Sequence, residues 1–256
     1  MDIRTYVVTG AASGIGAATA EHLAKAGARV IRCDVRDADV LTDLTTPAGR
    51  ESLVSQVTAL TSGKIDAVVA VAGLALPSDL TVRLNFFGTI ATLEGLYPLL
   101  LGSGRPRAVA VSSLSAIVAA DDGVVDACLS MDEERAATAA RMAAGRGHGR
   151  AIYPSTKLAL DRWLRRAAVT PGWAGAGIPL NAVAPGIVDT ETARNTFLND
   201  ENTRRLVSAI MPQPLAFPGP VDAIAALLAW LAGPENTFTT GQIIYADGGA
   251  EATLRP

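Results

Sequence analysis

The sequence predicts an α/β fold in which a parallel, seven-stranded sheet lies between helices on both of its faces. Short apolar runs alternate with segments of helical periodicity, which is the pattern of parallel strands joined by right-handed crossover helices. Hydrophobic residues make up 49% of the chain but aromatic residues only 5%, so aliphatic side chains that suit doubly buried strands dominate. Residues 1–256 are predicted to form one domain.

Seven short apolar segments have the composition of buried strands and end in turn-forming residues. In chain order they are TYVVTG, ARVIRCD, a short piece of DVLTDL, IDAVVAVAG, RAVAVSS, LNAVAPG and GQIIYADGG. The segments between them have helical periodicity, and the predicted helices cover residues 14–26, 47–60, 90–101, 153–168 and 221–231. In the first helix, one stripe is predicted to face the core: Ile15, Ala18, His22, Leu23 and Ala26.

A long strand-free stretch interrupts this alternation before Tyr153. Ser130 and Glu133 have the spacing of a capping box, in which each residue satisfies a free backbone N–H of a helix start. A helix is therefore predicted over residues 131–144. We interpret residues 116–152 as a helical subdomain inserted into the single domain.

Composition argues against several classes of function. The net charge is −3 and the chain has no polybasic run, so neither nucleic acid nor an anionic membrane is an expected partner. No apolar stretch reaches the roughly 18 residues of a membrane helix. The N-terminus enters a strand without a signal segment, so a cytoplasmic protein is expected. Cys33 and Cys128 stand far apart, which predicts neither a disulfide nor a metal site.

A glycine-rich turn, TGAASGIG, joins the first strand to the first helix. Gly10, Gly14 and Gly16 allow a tight turn and a close approach to a pyrophosphate. Ser13 and Ile15 stand at the start of the helix, where free N–H groups and the helix dipole favour an anion. This position between strand and helix predicts a Rossmann-type, doubly wound dinucleotide-binding fold, with an ordinary buried turn as the alternative.

Asp34 ends the second strand, 18 residues after Gly16. A carboxylate at this point accepts hydrogen bonds from an adenosine ribose and repels a 2′-phosphate, which predicts NAD as the cofactor. Arg36 leaves NADP open as an alternative, because a nearby cation can accommodate the phosphate. Asp43 and Leu44 follow the third strand and are expected to border the adenine.

Tyr153 and Lys157 lie four residues apart in AIYPSTKLALDRW, so a helix places them on one face. An ammonium beside a phenol lowers its pKa from the ordinary value of about 10. Tyr153 is therefore predicted to be the general acid/base for the proton on an alcohol oxygen. Pro154 suits the first turn of a helix that begins near Tyr153.

Ser113 ends the fifth strand, at the sheet edge where ligands of such folds bind. Its hydroxyl can donate a hydrogen bond to the substrate oxygen and stabilise developing charge. Ser112 and Ser115 are competing candidates for this role.

These motifs occur in the order found in the short-chain dehydrogenase/reductase family, which the chain resembles over nearly its whole length. The resemblance implies that Ser113 is the catalytic serine, that Asn85 holds a water of a proton relay, and that Lys157 also holds the nicotinamide ribose. It implies transfer of the pro-S hydride. It further implies a set of cofactor contacts: Ala72 and Gly73 at the adenosine ribose, and Pro185, Gly186, Val188 and Thr190 at the nicotinamide.

One motif departs from the family pattern. Ala70-Val71-Ala72-Gly73 replaces the usual Asn-Asn-Ala-Gly after the fourth strand, so packing has to replace the asparagine side chains that brace the sheet.

Within the family, CDVRDADV, the insertion and the ending DGGAEATLRP are similar to bacterial NAD-dependent hydroxysteroid dehydrogenases/carbonyl reductases. That similarity implies interconversion of a secondary alcohol and a ketone. Residues 190–217 are expected to form a lid over a bulky apolar substrate, because they directly follow the nicotinamide motif and contain several large apolar side chains: Phe197, Leu198, Ile210, Met211, Leu215 and Phe217. An NADP-dependent carbonyl reductase and a catalytically idle dinucleotide sensor remain the alternatives.

The insertion is expected to obstruct one of the surfaces through which the family forms tetramers. A homodimer is therefore predicted, formed through the last strand and the helix over residues 221–231.

Overall fold

Seven strands form one parallel sheet in the computed structural model, which describes residues 3–256. The strands are β1 (Thr5–Thr9), β2 (Arg29–Asp34), β3 (Val40–Leu41), β4 (Ala67–Ala70), β5 (Arg107–Val111), β6 (Leu180–Pro185) and β7 (Ile243–Ala246). Their order across the sheet is β3-β2-β1-β4-β5-β6-β7, and every pair is parallel. The strand order reverses between β1 and β4, which creates the crevice where such sheets bind ligands. The predicted fold class is confirmed.

Helices cover both faces of the sheet. They are α1 (Gly14–Lys25), α2 (Pro47–Thr61), α3 (Asp79–Val82), α4 (Thr89–Leu100), α5 (Asp122–Leu129), α6 (Glu133–Gly145), α7 (Gly149–Ala167), α8 (Glu191–Ala193), α9 (Glu201–Ile210), α10 (Val221–Ala232) and α11 (Ala250–Leu254). Two π-helical turns, Arg83–Gly88 and Arg194–Leu198, and a 3₁₀ turn, Leu114–Ile117, complete the regular structure. Within residues 3–256, none of these helices has the length and apolarity needed to cross a bilayer.

Two apolar cores lie on opposite faces of the sheet because strand side chains alternate in direction. Val7 and Val68 belong to the core that contains residues of α2, α4 and α7. Val8 and Val69 belong to the core that contains residues of α1 and α10. Cys33 and Cys128 are buried and form no disulfide, and burial raises the pKa of each thiol to about 12.

Helix α1 buries a different face from the predicted stripe. Leu23 is buried as expected, but Ile15 and Ala18 are only half-buried and His22 and Ala26 are exposed. The buried residues are instead Gly16, Thr19, Ala20 and Leu23. The close approach of the glycine turn to the start of α1 sets this rotation, since it turns the small residues toward the sheet.

Two predicted helix starts were wrong. Helix α7 begins at Gly149, so Pro154 lies in its second turn and leaves one backbone carbonyl without its helical donor. Ser130 does not cap α6; Asp132 does, by accepting a hydrogen bond from the Arg135 N–H at 3.0 Å. Residues 122–129 form a separate helix, α5, and Ser130 closes it by donating to the Ala127 carbonyl at 2.7 Å.

Two arginines join helix α6 to the rest of the chain. Arg50 of α2 binds both carboxylate oxygens of Glu133 at 2.6 and 2.8 Å and donates to the Leu44 carbonyl at 2.8 Å. Arg83 also contacts Glu133, at 3.2 Å, and binds the exposed Glu134 at 2.8 Å. Glu133 therefore fastens α6 to α2 and to the π-helical turn.

We predict that Glu133→Gln lowers the free energy of unfolding by about 1–3 kcal/mol, because two largely buried guanidinium groups lose their shared carboxylate. Glu134→Gln removes an equal charge at an exposed position and is expected to change the free energy of unfolding by less than about 0.5 kcal/mol. Urea denaturation followed by circular dichroism measures both. Equal effects of the two variants would contradict this role of Glu133.

Candidate active site

The glycine turn lies against the chain that leaves β4. Gly10 has a positive φ of +67°, and a Cβ atom on it would lie 2.8 Å from the Ala72 backbone nitrogen. Gly16 faces the Gly10 carbonyl so closely that a side chain there would collide with it. Gly14 lies beside Thr190, whose Cγ2 would be 3.5 Å from an added Cβ. The turn therefore has almost no free volume at its base.

The start of α1 beside this turn has free hydrogen-bond donors. Ser13 takes the N-cap position, but its side chain caps no backbone N–H of the helix. Ile15 follows in the first turn, where backbone N–H groups have no helical acceptor. This helix start, together with the small residues of the turn, fits the phosphates of a dinucleotide.

Asp34 lies at the end of β2 against the same turn. Its two oxygens accept hydrogen bonds from the Ala12 N–H at 3.0 Å and the Val35 N–H at 2.7 Å. A carboxylate has about four acceptor positions, so two remain for other donors. The cation that contacts the turn is Arg32, whose Nη2 donates to the Ala11 carbonyl at 2.6 Å, whereas Arg36 is exposed.

The chain after β3 has a different arrangement from the one expected at an adenine. Asp43 is exposed, and its carboxylate accepts hydrogen bonds from the N–H and hydroxyl of Thr45, at 2.9 and 2.7 Å. The side chain of Leu44 is buried in the core, and only its backbone faces outward to Arg50. Contact of these two residues with an adenine stays a prediction.

Thr9 and Asn85 brace the chain that leaves β4, where the usual asparagines are absent. The Thr9 hydroxyl accepts hydrogen bonds from the N–H groups of Val71, at 3.1 Å, and Ala72, at 3.2 Å. The fully buried Asn85 side chain exchanges two hydrogen bonds with the backbone of Leu74, at 2.7 and 2.8 Å. Gly73, between these braces, is exposed.

Asn85 lies in the π-helical turn between α3 and α4. Its amide nitrogen also donates to the Thr156 hydroxyl on α7 at 3.3 Å. A π turn widens the helix and frees backbone groups, and such turns occur frequently at functional sites. Asn85 thereby connects the β4 edge of the crevice to the helix that carries Tyr153 and Lys157.

Ser113 and Tyr153 meet at the end of β5. The Ser113 oxygen accepts hydrogen bonds from the N–H and hydroxyl of Ser115, at 3.1 and 2.9 Å, which leaves its proton free to donate. Burial raises the pKa of Tyr153, and the neighbouring Ser113 hydroxyl acts in the opposite direction. The pKa of Tyr153 is therefore raised, whereas the Tyr153–Lys157 pair alone predicted that it would be lowered. Removal of the phenolate from water outweighs the other effects.

Lys157 is buried one helical turn after Tyr153. Its Nζ donates to the Val111 carbonyl, the last of β5, at 2.7 Å and lies 5.7 Å from the centre of the Tyr153 ring. Burial lowers the pKa of Lys157 to about 8, and the charge of Asp161 opposes that shift. The lysine is therefore close to the phenol but is fixed to the sheet.

The loop after β6 completes the crevice. Pro185 ends the strand, Gly186 allows a close approach to Asp247, and Val188 is buried and bridges to Gly219. Thr190 caps α8, with its hydroxyl accepting the Ala193 N–H at 3.2 Å.

Gln213 fastens this loop to the segment that follows it. Its side chain accepts a hydrogen bond from the Ile187 N–H and donates to the carbonyls of Ile187 and Ala216, at 3.1 and 3.0 Å.

The chain is similar to known proteins in both sequence and structure. A family profile described as enoyl-(acyl carrier protein) reductase matches residues 10–251. A 3α-hydroxysteroid dehydrogenase/carbonyl reductase from Comamonas testosteroni is 33% identical over 98% of this chain and 97% of the relative.

The chain belongs to the short-chain dehydrogenase/reductase family.

Other short-chain dehydrogenases/reductases agree with this assignment. A tropinone reductase homolog from Arabidopsis thaliana is 32% identical over 96% of this chain and 92% of its own length. The crystal structure of a 3α-hydroxysteroid dehydrogenase from Pseudomonas sp. B-0831, complexed with NADH, superimposes with a TM-score of 0.89 at 36% identity, covering 98% of both chains. Members of this family are oxidoreductases that bind a nicotinamide dinucleotide.

Several residues of the site have roles that no motif in the sequence predicts. Thr9, Arg32 and Gln213 act through contacts with backbone that is distant along the chain, at 62, 21 and 26 residues. Thr9 stands in the TGAASGIG motif, but its contact with the chain after β4 could have been suspected only from the missing asparagines there.

We predict that Gly10→Ala and Gly27→Ala differ strongly, although both glycines have a positive φ, +67° and +83°. Each alanine incurs backbone strain of about 1 kcal/mol or more. Only at Gly10 does the new Cβ also meet backbone, that of Ala72. Gly10→Ala is expected to weaken NADH binding at least tenfold, whereas Gly27→Ala leaves it unchanged. Calorimetric titration of folded variants measures both, and equal dissociation constants would contradict the close approach.

Proposed function

We propose that the protein is an NAD(H)-dependent oxidoreductase that interconverts a secondary alcohol and a ketone. The observation that carries this proposal is the meeting of Ser113, Tyr153 and Lys157 at the end of β5, beside a glycine turn that fits a dinucleotide. When bound, the nicotinamide supplies or accepts the hydride. The residues of the chain have to move the accompanying proton and hold the reacting oxygen.

Tyr153 and Ser113 divide this work. The raised pKa of Tyr153 keeps the phenol protonated at neutral pH, which suits donation of a proton to a carbonyl oxygen. The free proton of Ser113 supports a hydrogen bond to that oxygen as negative charge develops on it. In the direction of alcohol oxidation, the positive charge of Lys157 favours the phenolate of Tyr153.

Asp34 supports NAD over NADP. It is bound to the N–H groups of Ala12 and Val35, which fix the carboxylate at the end of β2 with acceptor positions to spare. Two ribose hydroxyls match these positions, whereas a 2′-phosphate would meet like charge. Arg32 is engaged with the Ala11 carbonyl and is therefore poorly placed to offset that repulsion.

The structure of residues 190–217 supports the proposal that the substrate is bulky and mostly apolar. Its helix α9 has no buried residue, and Leu206, Ile210 and Leu215 are 60%, 55% and 86% exposed. Gln213 anchors only the end of the segment to the crevice. An amphipathic, loosely packed helix that is fixed at one end suits a lid whose apolar face closes over an apolar ligand such as a hydroxysteroid or a cyclic ketone.

A homodimer through β7 and α10 is part of this proposal. Among residues 3–256, strand β7 pairs only with β6 and is therefore a sheet edge, while Trp230 of α10 and Phe238 are 44% and 99% exposed. Helices α5 and α6 pack on α7, which supports the expectation that they obstruct a surface through which the family forms tetramers. Light scattering measures the mass in solution, and a mass of four chains would contradict the dimer.

Replacement of Tyr153 by phenylalanine tests the proposed function. We expect kcat for oxidation of a hydroxysteroid or a cyclic alcohol to fall by about 10²–10⁴-fold, the usual contribution of a general acid/base. NADH binding should change by less than about twofold, because the ring remains. Tyr97→Phe, whose ring packs on Trp173 at 5.4 Å, is the matched control. Unchanged kcat in Tyr153→Phe would contradict the proposal, as would turnover of small polar alcohols alone.

Cofactor preference tests the role of Asp34. We expect NADH to bind at least tenfold more tightly than NADPH, a difference of about 1.4 kcal/mol. Asp34→Ala removes both the ribose acceptor and the repulsion, so it should weaken NADH binding and bring the two dissociation constants together. Fluorescence titration measures all four constants. Tighter binding of NADPH by the wild-type protein would mean that Arg32 or Arg36, rather than Asp34, decides the cofactor preference.

A further inference from the structure

A buried carboxylate lies one helical turn beyond Lys157, outside the roles assigned above. Asp161 is 7% exposed and Lys157 is 3% exposed, and both project from the same face of α7. Lys157 binds the Val111 carbonyl, and Ser112, the next residue, faces Asp161. The two charged side chains therefore converge on the end of β5, immediately before Ser113.

Asp161 lacks the partners that a structural carboxylate has. Its Oδ1 is buried without a hydrogen bond, and so is the Ser112 hydroxyl. Ser112 lies beside Asp161, but no hydrogen bond joins the two side chains. Burial without compensation is unfavourable for a carboxylate. Asp161 accordingly contributes little to holding the fold together as an ionised group.

Asp161 shares a cavity with several other charged and titratable groups. Asp161 lines a cavity of about 520 Å³ between α7, the 3₁₀ turn, β7 and the C-terminal segment. Its ionisable lining residues, apart from Asp161, are Asp122, Arg162, Arg165, Tyr245 and Arg255. Arg255 is already paired with Glu251 at 2.7 Å. Because Asp161 lines this cavity, the carboxylate has access to solvent through it.

The electrostatic directions agree with this arrangement. Burial raises the pKa of Asp161 to about 6, while Ser112, Lys157 and Arg165 act in the opposite direction. Burial lowers the pKa of Lys157 to about 8, while Asp161 raises it. At neutral pH both groups are charged, and each favours the charge of the other.

We propose that Asp161 is a positioning residue that keeps Lys157 in its charged form, with the cavity behind Asp161 connecting that carboxylate to solvent. The proposal rests on the proposed function of Lys157, because only the charged lysine favours the Tyr153 phenolate. Asp161 touches neither substrate nor cofactor and acts entirely through Lys157.

The titration of Lys157 tests the proposal directly and requires no turnover. The chain has three lysines, and Lys25 and Lys64 are exposed, so selective ¹³Cε-lysine labelling gives three assignable NMR signals. In Asp161→Asn, which keeps the shape and removes the charge, the midpoint of Lys157 should fall by roughly half a pH unit or more. Asp122→Asn removes an equal charge from the same cavity and should leave the midpoint in place. An unchanged midpoint in Asp161→Asn, or equal shifts in both variants, would overturn the proposal.

Stability separates this role from a structural one. A carboxyl whose pKa rises from 3.8 unfolded to about 6 folded destabilises the fold as pH rises through this interval. Asp161→Asn should therefore match the wild-type melting temperature below about pH 4 and exceed it above about pH 6. A lower melting temperature at pH 7 would mean that Asp161 holds the fold together, and would overturn the proposal.

The pH profile of kcat connects the charge to function. Loss of the Asp161 charge should move the alkaline limb of alcohol oxidation to lower pH by the shift found for Lys157, with little change in KM. An unmoved limb despite a shifted lysine would overturn the positioning role. Absence of turnover in the wild-type protein would instead contradict the proposed function and leave the titration and melting results to decide on Asp161.

Discussion

The hydrogen bond from the buried Lys157 ammonium to the Val111 carbonyl is the contact on which the candidate site depends. It joins α7 to the end of β5, one turn after Tyr153 and two residues before Ser113. Because a buried ammonium is unfavourable without an acceptor, this bond fixes the helix at one height along the strand. The phenol and the serine hydroxyl then meet without further adjustment.

The opposite side of the crevice depends on close backbone packing rather than on charge. The turn after β1 touches the chain after β4 because Gly10 has no side chain, and Thr9 and Asn85 hold that chain in place. Asn85 also reaches α7 through Thr156, so both sides are connected behind the crevice. The insertion reinforces the same π-helical turn from outside through Glu133 and Arg83.

Local patterns in the sequence were sufficient to predict the fold, and they also predicted the site residues that belong to compact motifs. The glycines of the first turn, Asp34 at a strand end and the Tyr153–Lys157 pair are each defined by spacing over a short stretch of sequence. Helix boundaries were less predictable, because α7 extends back to Gly149 where it packs against α5 and α6. Gln213 and Asp161 could not be assigned a role, since their surroundings come from distant segments that only the folded chain brings together.

Transfer of deuterium from [4S-²H]NADH to a 3-ketosteroid or a cyclic ketone is the measurement that tests the central claim most directly. If Ser113, Tyr153 and Lys157 form the active site of an NAD(H)-dependent reductase, deuterium will appear on the carbinol carbon of the product by mass spectrometry. The 4R-labelled cofactor will then give unlabelled alcohol. Label arriving only from the 4R position would contradict the orientation of the nicotinamide, and an absence of labelled alcohol from either cofactor would contradict the account as a whole.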